Sequence, residues 1–201
     1  LVGSEMCIRD RYGIPKELYE ISYNVPGNPK LAENVKSLIS KQSVFDNSWG
    51  IDHGTWSVLV HMYPERDIPV FQISIDASAR PEVHYQIGRE LKSLRHQGVL
   101  LFGTGNIVHN LRMIDWEIKD KGFDWAYKFD DYMKENIENR NHEKVINYLS
   151  LGETAKLAVP TPDHFNPILY ILGASDKEDE ISTYNNGCMM GSLSMTSYLF
   201  T

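Results

Sequence analysis

The chain has 201 residues, enough for one domain with a sizeable core, and 42% hydrophobic against 23% charged residues is an ordinary globular balance. A formal net charge of −7 with no basic stripe argues against nucleic acid as a partner, and no apolar run approaches the roughly 20 residues that span a bilayer. Two cysteines, Cys7 and Cys188, are too few for a disulfide framework or a Cys-rich zinc site, so a reducing cytoplasm is the default location.

The first residue is Leu1, and residues 1–11 lack both the basic n-region and the apolar h-region of a signal peptide. They resemble a translated sequencing adapter. We therefore expect 1–11 to be non-native, the domain to occupy 12–201 and the natural N-terminus to lie upstream. The competing reading is a native, frayed terminal segment.

From Tyr12 to Pro29 the prolines and glycines predict an extended connection with a turn at Val25-Pro26-Gly27. Leu31, Val35, Leu38 and Ile39 recur at helical spacing and predict a helix over 29–41. The β-branched and aromatic run from Asp67 to Asp76 predicts a strand. Pro81 opens a helix to about Gln97, with Val83, Ile87, Leu91 and Leu94 on one face and Gly98 as its stop. Val99 to Phe102 predicts a short buried strand, followed by a tight turn at Gly103-Thr104-Gly105-Asn106. Helices follow over 107–116, 123–138 and 143–151. Residues 166–174 fit helix or strand, and Gly191 to Phe200 predicts a terminal strand. Strand–helix alternation with short links makes this an α/β fold, a mixed central sheet flanked by helices in a single domain.

Three histidines stand in loop-like settings dense in Gly, Pro and Asp. They are His53 in Trp49-Gly50-Ile51-Asp52-His53-Gly54-Thr55-Trp56, His109 in Gly105-Asn106-Ile107-Val108-His109-Asn110, and His164 in Pro160-Thr161-Pro162-Asp163-His164-Phe165. Imidazole serves both metal ligation and proton transfer near neutral pH. His109 follows a predicted strand, at whose carboxyl end open α/β sheets carry their sites. The prolines around His164 make a rigid mount. Each of the three could equally be a satisfied structural histidine, because no His-Glu-x-x-His or Cys-x-x-Cys spacing is present. The Gly103–Gly105 stretch lacks the patterns of a phosphate cradle and reads as a turn. His61 is expected in the core or half-buried, His84 and His96 on a helix surface, and His142 in solvent. Asp52 either orients His53 or forms a turn, and Cys188 reads as a small buried hydrophobe.

The same segments carry a family resemblance. The Trp49–Trp56 segment, then Met62-Tyr63-Pro64, Ile68-Pro69-Val70, Gly88-Arg89-Glu90-Leu91, the Gly105–Leu111 stretch, Thr161-Pro162-Asp163-His164-Phe165 and Gly191-Ser192-Leu193-Ser194-Met195 resemble the 4,5-DOPA dioxygenase extradiol family. This is a class III extradiol ring-cleavage family. The ordered set covers essentially 12–201. The resemblance implies that His164 ligates a metal, that His109 is a catalytic acid–base and that His53 lines the active site. It also implies two further histidine ligands in N-terminal segments not found here. The family's connecting segment after the second ligand resembles Tyr12-Gly13-Ile14-Pro15. The chain is accordingly expected to be a truncated and inactive C-terminal part of a catalytic domain.

The chemistry is compatible with that implication. Cleaving a catechol needs a metal with open positions for two hydroxyl oxygens and O2, whereas the usual non-heme iron triad has two histidines and a carboxylate. Three histidines leave Fe2+ or Zn2+ as the choice. Iron fits redox chemistry; zinc binds well but does not cycle electrons. A binding protein that has lost catalysis on the same fold, and a zinc hydrolase with an activated water, are the competing functions. Retention of His109 and His164 in their settings favours the enzyme.

Overall fold

The structure, a computed structural model, describes residues 20–48 and 50–201. The expectations for residues 1–19 and the Trp49 of the His53 segment lie outside the described residues. The fold mixes helices with a small amount of sheet. It comprises two compact units, one ending at Ser74 and one running from Ile75 to Thr201.

In the first unit, α1 (Pro29–Leu38) begins where Asn28 Oδ1 accepts a hydrogen bond from Leu31 N–H, with Pro29 at the first helical position, and it buries Ala32 and Val35. A second helix, α2 (His53–Met62), was not anticipated. Its apolar residues crowd without clear periodicity, but Asp52 caps it, Oδ1 accepting from Thr55 N–H at 2.8 Å. Tyr23, Val25, Ile51, Trp56 and Leu59 form this unit's core. His61, expected inside, is exposed, because α2 turns Leu59 and Trp56 inward instead. The strand predicted over 67–76 is extended chain with a single bridge residue, Gln72. Its residues suit a pleated surface, but no neighbouring ladder forms on it among the described residues.

The second unit is built on two helix pairings. Helix α3 (Pro81–Leu91) continues as a 3-10 turn over Lys92–Gln97 and stops at Gly98, whose φ of 74° suits glycine. It lies against α7 (Asn166–Ala174), resolving the ambiguous 166–174 as helix. The two meet at backbone distance: a Cβ on Gly88 would sit 2.1 Å from the Tyr170 carbonyl oxygen, and one on Gly173 2.1 Å from that of Tyr85. His84, expected at the surface, is instead fully buried there, its Nδ1 3.1 Å from Tyr170 Oη and its Nε2 3.0 Å from Asn166 Nδ2. An amphipathic pattern counts histidine as polar, yet a side chain with two local partners can be enclosed.

Helix α4 (Asp124–Glu138) turns Ala126, Phe129, Met133 and Ile137 into the main core, where Val145 of α5 (His142–Ile146), Ala155 of α6 (Glu153–Ala158), Phe165 and Leu169 join them. The helix foreseen over 143–151 divides into α5 and a 3-10 turn, Tyr148–Leu151. His142, expected in solvent, is half-buried, and burial followed by the Arg140 charge lowers its pKa. Arg95 makes two hydrogen bonds to the buried Asp179, at 2.7 and 2.9 Å, tying the 3-10 turn to the segment after α7.

Strand pairing among the described residues is confined to two short antiparallel ladders and isolated bridges. Strand β1 (Ile181–Tyr184) pairs with β4 (Ser197–Phe200), and β2 (Cys188–Met189) with β3 (Leu193–Ser194). The single strand predicted over 191–200 is broken at Thr196, whose hydroxyl turns inward to Asp130. The strand predicted at 99–102 is extended but unladdered, with Leu100 54% and Phe102 39% exposed.

Candidate active site

His109 sits in a helix-free stretch, not in the helix expected over 107–116; only Leu111–Met113 forms a 3-10 turn. The reason is local pairing with β3. Ser194 N–H donates to the Val108 carbonyl at 2.9 Å, Asn110 N–H donates to the Ser192 carbonyl at 3.1 Å, and His109 is bridged to Leu193 between them. That is a non-hydrogen-bonded antiparallel pair. The His109 N–H is therefore left to donate elsewhere, and it reaches the Ala158 carbonyl at the end of α6, 2.9 Å away. The backbone of His109 is held from both sides.

His164 lies in the segment between α6 and α7, beside the same stretch. Asn106 N–H donates to the His164 carbonyl at 3.0 Å. Gly105 makes this approach feasible, since a Cβ there would stand 2.1 Å from that carbonyl oxygen. Gly103 likewise faces Ile171 and the Pro167 carbonyl closely. The Gly-Thr-Gly stretch was expected to turn. No turn is assigned to it, and its glycines serve close approach to the neighbouring segment.

The consequence is a stacked pair of imidazoles. The ring centroids of His109 and His164 are 3.6 Å apart with 14° between planes. Burial, with the facing His164 as the next cause, pushes the His109 pKa down to about 4. His109 is thus a neutral imidazole near pH 7, able to accept a proton or to donate one from its N–H. The Asp163 carboxylate lies 3.5 Å from His164 Nε2. Burial raises the Asp163 pKa, but its hydrogen bonds and the two imidazoles outweigh that and leave it lowered.

The residues that hold this pair are more numerous than the sequence signals. Asn106 also donates from Nδ2 to the Ser194 carbonyl at 2.8 Å. Ser192 Oγ donates to the Asn110 carbonyl at 2.8 Å, and Asn110 Nδ2 to the Leu157 carbonyl at 2.8 Å. Asp163, Asn106, Ser192 and Ser194 were visible only as members of motifs. Only Asp163 adjoins a histidine in sequence; Asn106 lies three residues before His109, and the serines are remote from both. An open groove of about 420 Å³ is lined by Met113, Gly122, Phe123, Asp124 and Trp125, and Gly122 bridges Gly191.

His53 belongs to the first unit. It is exposed at the first position of α2, and Asp52 is occupied as that helix's cap, with Gln72 bonded to its other carboxylate oxygen. Cys188 is buried, and burial followed by the charges of Asp130 and Asp131 pushes its thiol up to about 12, as befits a small hydrophobe.

The sequence pattern of the family described as the catalytic LigB subunit of aromatic ring-opening dioxygenase matches residues 3–200. The chain belongs to this family. It is therefore a ring-opening dioxygenase of the extradiol type. A 4,5-DOPA dioxygenase extradiol of Escherichia coli K12 is 41% identical over 195 residues, covering 94% of this chain and 72% of the relative. One from Beta vulgaris is 34% identical over 198 residues, covering 96% of this chain and 74% of the relative. The crystal structure of an uncharacterised E. coli K12 protein superposes with a TM-score of 0.83 at 38% identity, covering 98% of this chain and 78% of that one. The fold of this ring-opening dioxygenase is accordingly that of its family. No helix among its described residues is long and apolar enough to cross a membrane.

Proposed function

We propose that this dioxygenase uses a divalent metal, Fe2+ or Zn2+, to cleave the ring of a catechol such as DOPA with O2. The observation that carries the reading is the stacked pair His109 and His164, one ring depressed to neutrality, on segments fixed through the main chain. His164 is the ligand in this reading. It is half-buried, follows Pro160 and Pro162, and offers an imidazole on a stiff mount. Among the described residues no group of three or more His, Cys, Asp or Glu side chains could hold a metal. When bound, the metal supplies open positions at which the catechol oxygens and O2 meet.

His109 then works as acid–base. Its neutral ring takes a proton from a catechol hydroxyl at one nitrogen and returns it during ring opening. His53, by resemblance, assists from the wall of the site. A cytoplasmic location fits the two cysteines. The test is oxygen uptake by the full-length protein loaded with Fe2+ or Zn2+, on adding catechol and then DOPA. Stoichiometric uptake with a ring-opened product supports the reading. Metal binding without uptake sinks it and leaves the hydrolase or binding-protein alternatives.

A further inference from the structure

Asp130 is the buried acid that the proposed reaction does not use. It projects from α4 with 2% of its surface exposed. Neither carboxylate oxygen meets a cation: Oδ1 accepts from Ser194 Oγ at 2.5 Å and Oδ2 from Thr196 Oγ1 at 2.7 Å. Burial is the largest influence on it and raises its pKa in spite of those two hydrogen bonds. Enclosing a carboxylate with hydroxyl partners alone is costly. What that arrangement holds is Ser194. Every polar group of Ser194 is engaged. Its Oγ donates to Asp130 and accepts from Thr196 N–H at 3.2 Å, its N–H donates to Val108, and its carbonyl accepts from Asn106 Nδ2. Val108 precedes His109, and the Asn106 N–H holds the His164 carbonyl. A chain of hydrogen bonds thus runs from α4, through one serine, to the backbone of both imidazoles.

We infer that Asp130 is a positioning residue for the His109–His164 pair, acting through Ser194 and Asn106 to set the spacing of the two rings. The inference rests on the proposed role of His109 for its catalytic consequence, though the geometric claim stands apart from it. Side chains alternate along β3, so the face of Ser194 that meets Asp130 is opposite the one on which Leu193 bridges His109. Asp130 therefore never touches substrate; it acts at one remove.

The experiment compares Asp130→Ala, Asp130→Asn and Ser194→Ala with the parent protein. Histidine-labelled protein is followed by NMR, because rings stacked at 3.6 Å shift one another's carbon-bound proton signals. Asp130→Ala and Ser194→Ala are expected to move the His109 and His164 signals while leaving those of His84 and His96. Asp130→Asn, which keeps an acceptor for Ser194, is expected to restore them. On metal-loaded enzyme, kcat should fall on the order of ten- to a hundredfold in the alanine variants with KM little changed. The inference is overturned if Asp130→Ala lowers Tm but leaves both histidine signals in place, or if asparagine does no better than alanine. Should Asp130→Ala not fold, the Ser194→Ala and Asp130→Asn pair decides by the same signals. Moved signals in a protein whose parent never consumes O2 would support the positioning claim and reject the proposed function.

Discussion

At the scale of single residues, His109 and His164 share one stacked geometry but are assigned different work, and substitution separates them. In the full-length protein, His109→Ala is expected to keep its metal and lose turnover by on the order of a hundredfold or more, the loss of a general acid–base. His164→Ala should lower metal occupancy as well as activity, with circular dichroism unchanged because the ring projects from a segment outside the helices. Elemental analysis of the two variants beside oxygen uptake checks both; full metal in His164→Ala rejects it as a ligand. The sequence singles out these two residues because Gly, Pro and Asp around a histidine signal a shaped backbone; their stacking is what the structure adds. His84 was misread for the opposite reason. A helical pattern counts polarity along the chain, and it could not know that Tyr170 and Asn166, over 80 residues away, would satisfy both ring nitrogens.

At the scale of elements, the pairing of α3 with α7 depends on having no side chain at two places. Gly173→Ala would drive a Cβ into the Tyr85 carbonyl oxygen, 2.1 Å away, and the atom it meets is backbone that has no rotamer to yield. Overpacking of this kind typically costs about 1–3 kcal/mol, so Tm in a thermal melt should fall by several degrees. An unchanged Tm would mean the helices can separate freely. Helix existence was readable here: Pro81 as an opener, Gly98 as a stop and the Ile87, Leu91, Leu94 face all hold. Strand existence was not. The runs at 67–76 and 99–102 have strand composition, but a strand is made by its neighbour, and composition does not reveal whether one is supplied. Gly103 and Gly105 read as turn formers because the sequence shows a glycine's freedom, not which segment would collide with a side chain there.

At the scale of the whole molecule, acid stability has an identifiable contributor. Burial raises the Asp179 pKa, but the Arg95 hydrogen bonds, the Asp176 backbone and the charges of Arg95 and Arg140 outweigh it, leaving the pKa lowered. A lowered folded pKa means the unfolded chain binds the proton more readily. The contribution is therefore complete above the unfolded carboxylate value of about 3.9 and is lost as pH falls through that value toward the lower folded one. The Tm gap between the parent and Asp179→Asn should be wide at neutral pH and close at acid pH. A gap independent of pH would mean that the pair acts through shape rather than charge. The fold class and family were legible across the chain because the ordered motifs span it, while the two-unit organisation was not, since no Pro- or Ser-rich linker separates residues 74 and 75.

The double hold on His109 has one more consequence, in the time domain. Its side chain is half exposed, and a residue so placed would ordinarily trade its amide hydrogen with water quickly. Here the N–H is bonded to Ala158 on one flank while Val108 and Asn110 lock the other. Release requires the contact with Ala158 at the end of α6 to open, so the amide should exchange with deuterium well below the rate of an unbonded amide. Exchange as fast as at the exposed Leu111 would show that this contact opens freely.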